Sequence, residues 1–208
     1  MKRFTPTAVL LLALLMLTSC TALKDMQQAM TNLSRCKFKL DAVNNFQLMG
    51  IRLSDKKKLS DFSLTDGVQL TRAYTSGVFP ASFTLNVAAV NPNDGTGGTP
   101  KTAATLTSFA WTMIIDDKLT ISGDISEPIT IPGSGQTAII PLQMNLDLAK
   151  FFKDRGYESV VNLALALGGV NGSPSRITLR ATPRLRTSFG DITYPGAIDI
   201  IDKEFRAQ

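Results

Sequence analysis

The chain of 208 residues contains no histidine, two cysteines and one tryptophan. The missing histidine removes Ser-His-Asp and Cys-His nucleophile systems, histidine-ligated zinc and histidine general bases together. Two cysteines, Cys20 and Cys36, invite at most one disulfide in an exported protein, and none if the Cys20 sulfur is otherwise engaged. Walker-type phosphate loops, calcium-loop spacings and paired-cysteine motifs are absent. Gly95-Thr96-Gly97-Gly98 is glycine-rich without the dinucleotide-binding pattern. Asp116-Asp117 reads as a turn, because adjacent strand residues point to opposite faces and cannot act together. No constellation supports the two placed acids of a glycosidase. The reading is therefore a protein that is not an enzyme, with no cofactor and no metal site.

Long apolar runs are scarce as well. Ala8 to Leu17 and Val160 to Leu167 both fall short of the ~20 residues that a membrane-spanning helix needs. The first run follows Met1-Lys2-Arg3, so residues 1–19 have the basic n-region and apolar h-region of a secretory signal. The run ends Leu17-Thr18-Ser19-Cys20, which resembles the bacterial lipobox at all four positions. The resemblance implies cleavage before Cys20, a diacylglyceryl thioether on its sulfur and acylation of the new amino group. Several acyl chains hold a protein stably at a bilayer where one gives only marginal binding. Thr21, where an aspartate would mark inner-membrane retention, points to the outer membrane, with the periplasmic or surface side left open. Loss of Lys2 and Arg3 lowers the formal charge from +5 to +3, which compels neither nucleic acid nor anionic lipid as a partner. Lys56-Lys57-Lys58 reads as a solvated loop.

Residues 20–34 read as a lipidated tether. Leu23, Met26, Met30 and Leu33 recur at helical spacing, a stripe that could dock on the domain or lie on the membrane surface; so short a helix is marginal alone, and a flexible tether is the expectation. From residue 35 to 208 the pattern is that of one domain. Cys36, Phe38 and Leu40 alternate with Lys37 and Lys39, which puts Cys36 on the buried face of a strand as a small hydrophobe. That strand region runs to residue 53 with a break near Asn44-Asn45 and Gly50. A helix is expected within Ser60 to Gly77, with Thr65 or Asp66 near its N-cap and Gly77 past its end.

Clearer strands follow. Phe83, Leu85, Val87 and Ala89 share one face; Phe109, Trp111, Met113 and Ile115 share another. Asp116-Asp117 turns into Leu119 and Ile121. Ile129 to Ile131 is a short strand between prolines, Gln136 to Met144 a longer one after Gly133-Ser134-Gly135. Ile177, Leu179, Ala181 and Leu185 alternate, and Ile192 to Tyr194 reads as a last strand. Leu146 to Arg155 and Glu158 to Leu167 have helical character. Many short strands with Gly/Pro turns and few helices predict a mainly β fold, an antiparallel two-sheet sandwich with one or two short helices. Pro141 and Pro183 mark edges, bulges or bends, since proline cannot donate to a ladder.

The strand 83–90 stops at Asn91-Pro92-Asn93. Pro92 fixes φ and pushes Asn91 toward extended backbone, and the Asn91 side chain can accept from the backbone N–H two residues on. The alternative makes Asn91 and Asn93 ligands for a cation or a sugar; local composition favours the turn. "FTLNVAAVNPND", with "SFAWTMIIDDKLTISGDI" and "ITIPGSGQTAIIPLQMNLDL", resembles the late-embryogenesis-abundant type 2 family, also called the WHy domain. The match covers about residues 83–148 and includes Asn91, Pro92 and Asn93, Phe109 through Asp117, Ser122-Gly123 and Ile131 through Pro141. The resemblance implies an immunoglobulin-like or fibronectin-III-like sandwich in a bacterial lipoprotein, acting as a binding or structural module, with the family name pointing to stress tolerance. The longer, glycine-rich loop from Asn93 to Ala104 departs from the family pattern. The partners implied are the membrane, through the lipid on Cys20, and an apolar ligand or envelope protein. A different reading is a lipid carrier whose apolar cavity lies near residues 158–168, lined by "SVVNLALALGG"; the simpler account of that helix is a plug buried at one end of the sandwich.

Overall fold

The computed structural model describes residues 23–201, apart from 25, 33, 97–99, 169–176 and 188–189. The signal segment 1–19, Cys20, Leu33, Gly97 and Gly98 therefore lie outside the described residues. The protein is mainly β, and its sheets are antiparallel. The described residues between 23 and 35 are helical (α1). They lead into strands β1 (Lys37–Leu48) and β2 (Ile51–Arg52), helix α2 (Leu64–Ser76), and β3 (Pro80–Val90). After the loop come β4 (Ala104–Ile115), β5 (Lys118–Gly123), β6 (Ile129–Ile131) and β7 (Thr137–Asp147). Helices α3 (Leu148–Phe152) and α4 (Tyr157–Leu167) precede β8 (Ile177–Thr187), β9 (Gly190–Thr193) and β10 (Ile198–Ile201).

One sheet has the order β2-β1-β3-β7. The other has β10-β8-β4-β5, with β6 also on β4 and β9 also on β8. The apolar face of each sheet is what joins them. Phe83, Leu85, Val87 and Ala89 from β3 and Phe109, Trp111, Met113 and Ile115 from β4 are all buried in one shared core, as their period of two requires. Ile177, Leu179, Ala181 and Leu185 of β8 join the same core.

Local chemistry fixes the element ends. Helix α2 is capped by Ser63, whose Oγ accepts from Asp66 N while the Asp66 carboxylate accepts from Ser63 N. The expected cap at Thr65 or Asp66 is thus corrected: Asp66 is the third helical residue of the capping box that Ser63 opens. Gly77 closes the helix in the left-handed region, φ 75°. Asp116 and Asp117 both adopt positive φ, 48° and 65°, and make the β4–β5 hairpin turn. Asn44-Asn45 is a bulge within β1 rather than a break, with Asn45 at φ 55°. The last described strand is β10, beyond the expected end at Tyr194.

The two strand prolines resolve differently. Pro141 lies on β7, which among the described residues pairs only with β3 and forms an edge of its sheet. Pro183 is buried in β8, a central strand, opposite Phe109. It is tolerated there because β9 pairs β8 from Arg184 onward and β10 only up to Ala181. The gap between those partners coincides with the missing N–H, and Tyr194 N donates to the Pro183 carbonyl across it, 2.9 Å.

The molecule has two unlike poles. At one, β3 starts, β4 ends, and α2, α3 and α4 cover the core. Here Arg155 pairs with Asp116 at 3.0 Å and Lys118 with Asp154 at 3.2 Å, tying the hairpin turn to the α3–α4 connection. At the other pole β1 and β4 start, β3 ends at Val90, and α1 packs. No helix among the described residues is long and apolar enough to cross a membrane.

Trp111 stands opposite Gly123 across the β4–β5 pair. A Cβ at position 123 would meet ring atom Cζ2 at 2.5 Å, so only glycine leaves room for the buried indole. Gly123→Ala is expected to cost about 1–3 kcal/mol, the range for overpacking a filled core. Denaturant unfolding followed by the emission of Trp111 measures it; an unchanged midpoint would refute the close fit.

Candidate functional site

The second pole gathers the residues that the sequence marks. β3 delivers Asn91 to the sheet end, and Pro92 turns the chain so that Asn93 folds back beside it. Both asparagine side chains are fully buried, 0% exposed. Burial of an amide without partners is costly, so the site must be read through its hydrogen bonds. Asn91 Oδ1 accepts from Asn93 N at 3.1 Å, the Asx turn expected, and from Asn93 Nδ2 at 2.7 Å. Asn91 Nδ2 donates to the Thr102 carbonyl at 2.8 Å and the Ile131 carbonyl at 3.2 Å. Two donors and two lone pairs are thus all engaged, and Asn91 has nothing left with which to hold a cation or a sugar. The cluster is a fastener: β3 belongs to one sheet, while Thr102 precedes β4 and Ile131 ends β6 in the other.

Backbone bonds surround it. Gly135 N donates to the Asn91 carbonyl at 3.1 Å and Thr102 N to the Asn93 carbonyl at 3.0 Å. Gly133 passes so close that an added Cβ would lie 2.5 Å from the Thr102 oxygen and 2.6 Å from that of Asn93. The sequence marks Gly133 as a turn residue; its contact with backbone oxygens 31 and 40 positions away has no local signal.

Asn93 extends the fastener to α1. Its Nδ2 also donates to the Asn32 carbonyl, 3.0 Å away, and its Oδ1 is buried with no partner among the described residues. Asn32 is itself buried, and its Oδ1 accepts from Gln28 Nε2 at 2.8 Å. The Asn32 carbonyl belongs to the last turn of α1, where helix carbonyls lack intrahelical donors. Segment 20–34 is thus not a flexible tether in its described part: it is a helix whose C-terminal end docks on the domain. A groove of about 290 Å³ runs between Gln28, Ala29 and Asn32 and the chain at Thr102–Ala104 and Leu185–Thr187.

Cys36 lies between α1 and β1, half-buried against the core, and its Sγ donates weakly to the same Asn32 carbonyl at 3.5 Å. Burial pushes its thiol up to about 11, the direction of an inert group. The expected place on the inner face of a strand is met in part: Cys36 precedes β1, followed by half-buried Phe38 and buried Leu40.

The far pole carries the apolar surface. Val160, Val161, Leu163, Ala164, Leu165, Ala166 and Leu167 of α4 are all buried at 4% exposure or less. They fill the common core, as a plug would. The large grooves run instead along both sides of α2. One of about 640 Å³ involves Leu59, Phe62, Leu64, Val68 and Tyr157; one of about 740 Å³ involves Met49, Leu64, Val68 and Arg72. Leu64 is 88% exposed on the ridge between them. Among the described residues no three Cys, Asp or Glu side chains come together as a metal-binding cluster.

No protein-family model and no curated protein matches the chain. Three solved structures are similar at low identity. A protein from Archaeoglobus fulgidus is 10% identical, with 82% of this chain and 98% of that one covered, at a TM-score of 0.34. AT1g01470 from Arabidopsis thaliana is 13% identical over 59% of this chain and 70% of its own, at 0.32. Structural genomics target SoR45 is 13% identical over 84% and 86%, at 0.34. At these TM-scores none of the three assigns a fold or an activity.

Two outcomes follow from the cluster. Asn91→Ala strands four buried partners and is expected to cost about 3 kcal/mol, whereas Asn93→Ala costs less and speeds amide exchange in residues 28–32; equal, small losses would remove the fastener role. For Cys36, the folded thiol is raised above its ordinary value of 9.0, so the unfolded chain deprotonates first. Its contribution to stability is full below pH 9 and is lost as pH rises toward about 11; Cys36→Ala should flatten that part of the pH–stability curve.

Proposed function

We propose that the chain is a lipid-anchored protein of the bacterial cell envelope, held at the outer membrane through acylated Cys20. Its domain, an immunoglobulin-like or fibronectin-III-like sandwich of late-embryogenesis-abundant type 2 character, acts as a non-enzymatic binding or structural module in envelope or desiccation stress. The observation that carries this reading is Leu17-Thr18-Ser19-Cys20, placed directly after a basic n-region and a ten-residue apolar run. Two features of the folded domain support it. Asn91 of the Asn-Pro-Asn motif spends its hydrogen bonds inside the protein, as a structural element does. The exposed ridge of Leu64 and Val68 between open apolar grooves offers a partner a surface of the size ligands and helices use.

Cys20→Ser is expected to move the protein from the membrane to the soluble fraction, and the wild-type mature chain should carry the mass of a thioether-linked diacylglycerol with an added acyl group. A bare thiol at Cys20, or a Cys20→Ser variant that stays with membranes, overturns the anchor. A deletion strain that survives drying and osmotic shock as its parent does overturns the stress role.

A further inference from the structure

The anchored pole has its own surface chemistry. Leu23 is three residues from Cys20, and three extended residues reach roughly 10 Å at most. An acyl group on Cys20 therefore keeps α1 within that distance of the headgroups. Helix α1 does not swing freely from there, because Asn93 and Asn32 fasten its far end to the domain. The side of α1 left outward is amphipathic. Leu23 is 56% and Met26 43% exposed, with exposed Lys24 between them.

Lys24, Arg35, Lys37 and Lys101 lie at the α1 end together with Arg186, against Asp94 and Asp191. Arg186 leans on Asp191 at 3.9 Å, and Arg35 acts on Asp94 at a distance; Lys24, Lys37 and Lys101 have no ion pair among the described residues. At the helical pole Lys56, Lys118 and Arg155 are paired with Asp66, Asp154 and Asp116, while exposed Lys57, Lys58, Lys150 and Lys153 have no ion pair among the described residues, so what sets the α1 pole apart is an exposed apolar pair close to Cys20. The eleven residues of β3 hold the two poles roughly 35 Å apart.

Resting on the anchor reading, we propose that this pole is a lipid-facing surface. Leu23 and Met26 enter the interface, and Lys24, Lys37 and Lys101 contact anionic phospholipid headgroups. The domain then stands pole-down on the bilayer with α2 facing away, rather than hanging from its lipid in random orientation. Each lysine near an anionic surface adds an attraction that salt screens. The apolar pair adds burial in the interface.

The test uses the mature lipidated protein in vesicles with brominated acyl chains. A fluorophore is placed on Gln27→Cys in α1 or on Thr71→Cys in α2, both exposed positions. Cys36, half-buried and protonated, stays unlabelled at neutral pH. With about 30% phosphatidylglycerol, quenching at position 27 is expected to exceed that at 71 at least ~3-fold. The excess should shrink in pure phosphatidylcholine, in about 0.5 M salt, and in the Lys37→Glu/Lys101→Glu variant, whose unfolding midpoint is checked against wild type. Equal quenching at both positions, or an excess blind to composition, salt and charge reversal, overturns the proposal. Intact mass of the same sample reads the anchor separately. If Cys20 proves bare, flotation of that protein decides: binding to phosphatidylglycerol vesicles alone supports the surface, and no binding overturns it.

Discussion

A single amide group, that of Asn91, carries bonds between the two sheets. It sits in the core at the end of β3, where neither water nor the sheet ladder can serve it, and every donor and acceptor it owns is spent on the chain. Because one of the four bonds goes to the Ile131 carbonyl of the other sheet and another to Thr102 in the loop that leads into it, the side chain sets the distance between the layers at this end. It also holds the two loops that flank β4 and β6. A buried polar group of this kind is worth most when completely satisfied, since the low dielectric that strengthens each bond makes any unpaired atom costly. The close passage of Gly133 belongs to the same constraint: the loop must come near enough for the amide to reach both carbonyls.

What could be read from the chain in advance was what depends on near neighbours. The period of two in β3, β4 and β8 placed twelve core side chains on the right faces, because alternation is a property of the strand itself. The hairpin at Asp116-Asp117 and the Asx turn at Asn91 were legible for the same reason: both depend on residues no more than two apart. The cap of α2, expected at Thr65 or Asp66, lies two or three residues earlier at Ser63, because side chains able to cap stand close together there and only the reciprocal bond decides between them.

What escaped was long-range. The bond from Asn93 to Asn32 spans 61 positions, so the helical stripe of Leu23, Met26 and Met30 allowed docking as one option but did not show where or through which residue its end would be held. Pro183 was read as an edge, bulge or bend because the interruption that accommodates it in a central strand lies in two other strands. The tight approach of Gly123 to Trp111 likewise depends on the pairing of β4 with β5. In the candidate site, the identity of the asparagines was visible and their partners were not.

The outer edge of β7 has a further consequence. Along its eleven residues the exposed side chains Thr137, Ile139, Pro141, Gln143 and Asn145 carry no charge, so electrostatic repulsion does not guard this flank. Pro141 alone interrupts the row of donors that another strand would seek. On a surface that crowds many copies side by side in two dimensions, collisions between such flanks become frequent. A single ring at the midpoint then limits any lateral zippering to a few residues on either side, and neighbours can jostle without knitting into a lattice.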